Sequence, residues 1–107
     1  MKKLNWNAFS DKPRLEVIDQ VKDALSKNGG CIMNFNMFSD LALALSVEVE
    51  EDQIIKLHSA LGSILKVSDL DWKQTIGNSK REWMVFINIS FNQGKGNLKA
   101  DIPAVPG

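Results

Sequence analysis

The sequence predicts an α+β fold: a two-layer sandwich in which a four- or five-stranded antiparallel sheet carries two helices on one face. Three observations lead there. Residues 13–28 and 51–62 place apolar side chains at helical spacing, and residues 31–37, 41–49 and 83–91 alternate with a period of two. Each alternating segment also has a single apolar face that needs a cover. At 107 residues, 44% hydrophobic and 24% charged, the chain has globular composition and the length of a single domain.

The first helix rests on a stripe of Leu15, Val17, Ile18, Val21, Ala24 and Leu25, with Arg14, Glu16, Asp19, Lys22, Asp23 and Lys27 largely outside it. Asp11 is placed to cap its start. Pro13 suits the first turn, where a missing N–H costs nothing, and Asn28-Gly29-Gly30 supplies a stop.

Two strands follow. Cys31, Met33, Phe35 and Met37 alternate with Ile32, Asn34 and Asn36, and then Leu41, Leu43, Leu45, Val47 and Val49 alternate with Ala42, Ala44, Ser46 and Glu48. Met33, Phe35, Leu43 and Leu45, with Val85 and Ile87 further on, are expected to be buried beneath the two helices. Directly opposed residues of an antiparallel pair share a face. A two-residue loop at Ser39-Asp40 would set Phe35 against Ala44 and Asn34 against Leu45, mixing the faces. A loop of three or five residues sets Met37 against Leu41 and Phe35 against Leu43. The expectation is an odd-length loop, or a bulge with the same effect, because one buried face penalises a one-residue slip.

In the second helix, Glu50, Glu51 and Asp52 lie at the N-terminal end, where the helix dipole favours negative charge. Ile54, Leu57, His58 and Leu61 form its stripe, and Gly62 is a plausible stop. Leu65 and Val67, extending towards Leu70 and Trp72, read as a short edge-like strand, with Asp69 and Asp71 arguing against a long one. The last strand turns Trp83, Val85, Ile87, Ile89 and Phe91 one way and Met84, Phe86, Asn88 and Ser90 the other. Residues 93–107 read as a flexible loop, Gln93 to Asn97, and an extended tail, with Pro103 and Pro106.

The order is helix–strand–strand twice over. If Lys3 to Phe9 adds a strand, it becomes the split-βαβ, ferredoxin-like order, and otherwise a permuted variant of it. Helix, Gly29-Gly30, strand, short turn, strand and helix over residues 13–91 resemble the layout of small ligand-sensing ACT-type domains. The resemblance implies a regulatory domain with a small molecule bound where subunits meet. It carries over no effector-binding motif, and fold alone does not fix function.

Thirteen basic and thirteen acidic residues cancel, and the cations are scattered among acids, which argues against nucleic acid and anionic membrane as partners. No apolar run approaches the roughly 20 residues of a membrane span. Asn5 and Asn7 interrupt the segment where a signal peptide needs an apolar core of about 7–15 residues. The expected location is therefore the cytoplasm. Cys31 is the single cysteine and His58 the single histidine; neither has companions at metal-ligand spacing. Cys31 is expected on the core side and His58 at the edge of the core, apart from each other and without a catalytic role. Trp83 is expected in the core, with Trp6 and Trp72 as partly exposed anchors. The acids from Glu48 to Asp52, with Asp69 and Asp71, lack the pattern of a calcium loop. Gly94-Lys95-Gly96 lacks the rest of a phosphate cradle. No enzyme class, cofactor or metal is indicated.

One surface departs from this plain picture. The sheet face away from the helices should present Ile32, Asn34, Asn36, Ala42, Ala44, Ser46, Met84, Phe86, Asn88 and Ser90, with Glu48 as its sole charge. Neutral amides mixed with small and apolar side chains suit a covered surface more than a solvated one. Asn34, Asn36, Ala42, Ala44, Ser46, Phe86, Asn88 and Ser90 are the candidate interface, and the expected partner is a second copy in a homodimer. A non-enzymatic interaction or regulatory domain is the reading this supports, with an ACT-like sensor as the alternative.

Overall fold

The computed structural model describes residues 2–68 and 76–91. Its elements run β1 (Lys2–Ser10), α1 (Arg14–Lys27), β2 (Cys31–Ser39), β3 (Ala42–Glu50), a 3-10 turn (Glu51–Gln53), α2 (Ile54–Gly62), β4 (Lys66–Val67) and β5 (Glu82–Phe91). The five strands form one sheet in the order β2-β3-β5-β1-β4. The α+β class and the two helices stand as expected, but the sheet is mixed: β1 runs parallel to β5 along its whole length, and the other pairings are antiparallel. Leu70, Trp72, Asp69, Asp71 and the 93–107 tail lie outside the described residues.

Residues 3–9 are a full-length strand despite their polar look, paired with β5 throughout and with β4 at Ala8 and Phe9. Leu4, Trp6, Ala8 and Ser10 are buried while Lys3, Asn5, Asn7 and Phe9 are exposed. A strand covered on one face needs an apolar residue only at every second position. Trp6 corrects the expectation of an exposed anchor: it is fully buried, its ring meeting His58 edge-on at 5.0 Å between centroids.

The core lies between the sheet and the helices. α1 contributes Val17, Val21, Ala24 and Leu25, and α2 contributes Ile54, Leu57 and Leu61. Trp6, Leu43, Leu45, Val47, Trp83, Val85, Ile87 and Ile89 meet them from the sheet. Leu15, expected on the apolar stripe, is 70% exposed at the start of α1. The helix starts at Pro13 without a side-chain cap, so Asp11 does not play that part. It stops as the glycines suggest: Asn28 and Gly30 N–H groups return to the Ala24 and Leu25 carbonyls, and Gly29 takes φ +76°.

β2 and β3 are joined by the two-residue turn Asp40-Leu41, and the faces stay matched through bulges. Phe35 lies opposite Leu45, Met37 opposite Leu43, Asn34 opposite Ser46 and Asn36 opposite Ala44. Register shifts admit one extra residue at Met33 and another at Phe38. The bulge alternative therefore holds, with Phe35 two residues further along β3 than the odd-loop register placed it. The Met33 bulge also inverts the start of the strand. Ile32, opposite Val47, packs against the core, and Cys31, opposite Glu48, is exposed on the outer face. Both reverse the alternation read from sequence. Arg14 ties the hairpin tip to α1 through Asp40 at 2.7 Å.

Candidate interaction surface

The sheet registers assemble the outer face in rows. Asn34, Ser46, Phe86 and Asn5 lie side by side across β2, β3, β5 and β1, and the next row is Asn36, Ala44, Asn88 and Asn7. A third row holds Ser39, Ala42, Ser90 and Phe9. All eight candidate residues are thus neighbours on one surface. Asn34, Asn36, Asn88 and Ser90 are exposed; Ala42, Ala44, Ser46 and Phe86 are half-buried by their neighbours. The charges of this face lie at its two ends: Lys3, Met84, Glu48 and Cys31 form a row at one, and Lys66 of β4 sits beside Phe9 at the other, leaving the first two rows uncharged. Asn5 and Asn7 belong to the surface too. Sequence reasoning missed them because β1 was undecided, although the spacing of Leu4, Trp6 and Ala8 carried the signal.

The free edge of the sheet adds a second feature. Among the described residues β2 is a terminal strand, and nearly all its residues are exposed on both faces. Met33 and Phe35, expected beneath the helices, are 55% and 36% exposed, and Met37 is 39% exposed. Phe35 and Met37 do point to the helix side, opposite Leu45 and Leu43, but the helices stop short of this strand. Lys22 of α1 reaches over the Phe35 ring at 5.1 Å. The Phe35 N–H donates to Asn34 Oδ1, the side chain of the preceding residue, at 3.0 Å.

No family model, curated protein or solved structure matches the chain. The residues that carry chemistry must then be read from their surroundings. Cys31 lies on the outer face, whereas His58 faces the core from α2, so the sheet separates them. His58 Nε2–H donates to the Ser68 carbonyl at 2.7 Å. The buried Trp6 Nε1 has no hydrogen-bond partner among the described residues. Among those residues, no group of three or more His, Cys, Asp or Glu is disposed to hold a metal ion, and no helix is long and apolar enough to cross a membrane.

Glu51 is an organising carboxylate. Its Oε1 accepts from Trp83 Nε1 at 3.0 Å and Ser79 Oγ at 3.2 Å, and its Oε2 accepts from the Gly77 N–H. The Trp83 bond, helped by Gly77 and Ser79 and opposed by burial, holds its carboxyl below the usual range. A side chain at position 77 would collide with it, since a Cβ there would sit 2.7 Å from Oε2. Asp52 is likewise lowered, chiefly by Lys80 at 2.8 Å, and Lys80 is raised by Asp52 in return. These groups fasten the 76–81 segment to the start of α2. A cavity of about 200 Å³, lined by Phe9, Asp11, Ser63 and Lys66 among others, lies at the C-terminal end of α2. It is smaller than the roughly 300–1,000 Å³ of most ligand pockets.

Proposed function

We propose that this chain is a non-enzymatic interaction domain in which copies associate through the uncovered part of the sheet. The observation that carries the reading is that, among the described residues, the five-stranded sheet has its helices on one side only. On its bare side Asn5, Asn7, Asn34, Asn36 and Asn88 lie among small and apolar residues, in rows without charge. Solvated sheet faces are usually strewn with Lys and Glu, and closely packed ones are not. The separation of Cys31 from His58, and the structural use of Glu51 and Asp52, fit a role in contact and not in catalysis.

Sedimentation equilibrium tests this directly. The expected outcome is a dimer at tens of micromolar. A charge placed at the seam between copies should reduce it to a monomer with an unchanged circular dichroism spectrum. Ala44→Arg places that charge in the middle of the face and Phe35→Lys places it on the free edge, so the substitution that acts marks the seam. A wild-type chain that stays monomeric, or a dimer indifferent to both substitutions, overturns the reading.

A further inference from the structure

Met33-Asn34-Phe35-Asn36-Met37 reads the same in both directions about Phe35. On an edge strand that symmetry has a structural meaning. When two identical strands pair antiparallel across a two-fold axis through Phe35, Phe35 meets its own symmetry mate. Asn34 then meets Asn36 of the second copy, and Met33 meets Met37. Like falls opposite like, and each face of the sheet continues unbroken into the next molecule. We propose that β2 pairs in this way with β2 of a second copy, joining two five-stranded sheets into one of ten strands. This deepens the self-association reading above and rests on it.

Four properties of the strand support the pairing. First, β2 carries no charge and no proline over nine residues, whereas long edge strands are ordinarily blunted by Lys, Pro or an inward charge. Second, the Phe35 N–H is turned to its own neighbour's carboxamide. That local bond stands where a partner strand's carbonyl would otherwise be. In the pair, the two Phe35 residues exchange N–H···O=C bonds, and the released carboxamides of Asn34 and Asn36 meet across the seam. Third, the bulges at Met33 and Phe38 fall at either end of the regular stretch and leave its middle straight enough to pair. Fourth, the surface is large enough. At roughly 200 Å² for a big side chain, the exposed fractions of Met33, Phe35 and Met37 leave roughly 260 Å² per copy before any main chain or the flanking Asn34 and Asn36 are counted. Two copies with their paired backbones then approach the roughly 1,000 Å² that a specific interface needs.

Cross-linking reads the register. In a Cys31→Ser background, Asn34→Cys and Asn36→Cys are prepared separately, mixed and mildly oxidised. The Phe35 pair is hydrogen-bonded, so the flanking 34–36 pair is the closer, non-hydrogen-bonded kind, within disulfide reach. A disulfide-linked dimer should form in the mixture and in neither protein alone. Phe35→Lys, which sets a cation opposite its own symmetry mate and beside Lys22, should halve the mass in solution, while Ala44→Arg should leave the dimer intact. Cross-linking of Asn36→Cys with itself overturns this register, and a mixture that does not cross-link overturns the pairing. A dimer split by Ala44→Arg but not by Phe35→Lys moves the seam to the open face; self-association then stands and the edge pairing fails. A wild-type monomer at all concentrations removes both.

Discussion

Leu43 and Met33 both belong to the β2–β3 hairpin, and both fall in apolar alternations, yet they differ in what covers them. Leu43 is 2% exposed beneath the helices, and Ile87 on the neighbouring strand is fully buried. Leu43→Ala or Ile87→Ala removes several packed methyl groups and leaves a cavity that the surrounding sheet cannot close, costing about 2–5 kcal/mol. Met33→Ala, at a bulge with more than half its surface open, should cost within about 1 kcal/mol. Urea unfolding at a concentration where the chain is monomeric separates the two, and equal losses would mean that α1 covers β2 after all. Along β3, β5 and the middle of β2, alternation told which way each side chain points. It did not tell how far the helices reach, because reach depends on where α1 lies across the sheet and not on the strand's own pattern. For the same reason Phe35 is expected in the core although it is only on the correct face, while Trp6, expected as a partly exposed anchor with β1 undecided, is buried on that strand's inner face. A bulge leaves no mark on composition, so the inverted placement of Cys31 and Ile32 could not be read from alternation.

Glu51 links three elements: the turn into α2, the segment 76–81 and the start of β5. Its carboxylate takes hydrogen bonds from Trp83, Gly77 and Ser79, while its own N–H donates to the Arg81 carbonyl at 2.8 Å. Trp83 is chiefly responsible for holding the carboxyl below its usual range. For a carboxylate lowered in the folded state, the stabilisation is full above the unfolded-chain pKa and disappears as pH falls through the folded-state value. The melting temperature should therefore fall on acidification, and Glu51→Gln should make that fall shallower while lowering the melting temperature at neutral pH. Thermal melts between about pH 3 and 7 test this; parallel curves for the two proteins would show that the carboxylate contributes nothing specific. Acids at residues 50–52 were legible as a helix start. The bonds that fix Glu51 come from residues 26 to 32 positions away, and no local pattern announces them.

At the scale of the molecule, the helices and the β3 and β5 alternations were legible because each is repeated within a short window. The parallel seam between β1 and β5 was not, because it joins the two ends of the described chain and depends on where β5 inserts. That insertion gives the sheet a gradient of protection. β5 is hydrogen-bonded on both sides, to β3 and to β1, and its inward residues Val85 and Ile87 are fully buried. Among the described residues β2 has β3 on one side only. Amides at the centre of a sheet exchange through global unfolding, whereas those on a free edge exchange through small local openings. In the monomeric Phe35→Lys protein, the amides of residues 85–89 should be the slowest to exchange. Those of residue 35 and Met37, two residues apart on the outward side of β2, should exchange faster by orders of magnitude. In the wild-type protein at dimeric concentration, the paired edge becomes an interior seam, so Phe35 and Met37 should slow towards the rates of β3 while Asn5, Asn7 and Asn88 amides change little. Slow exchange of Met37 in the monomeric variant would show that this edge is already covered within one chain. Unchanged exchange of Phe35 on dimerisation would show that the copies meet elsewhere.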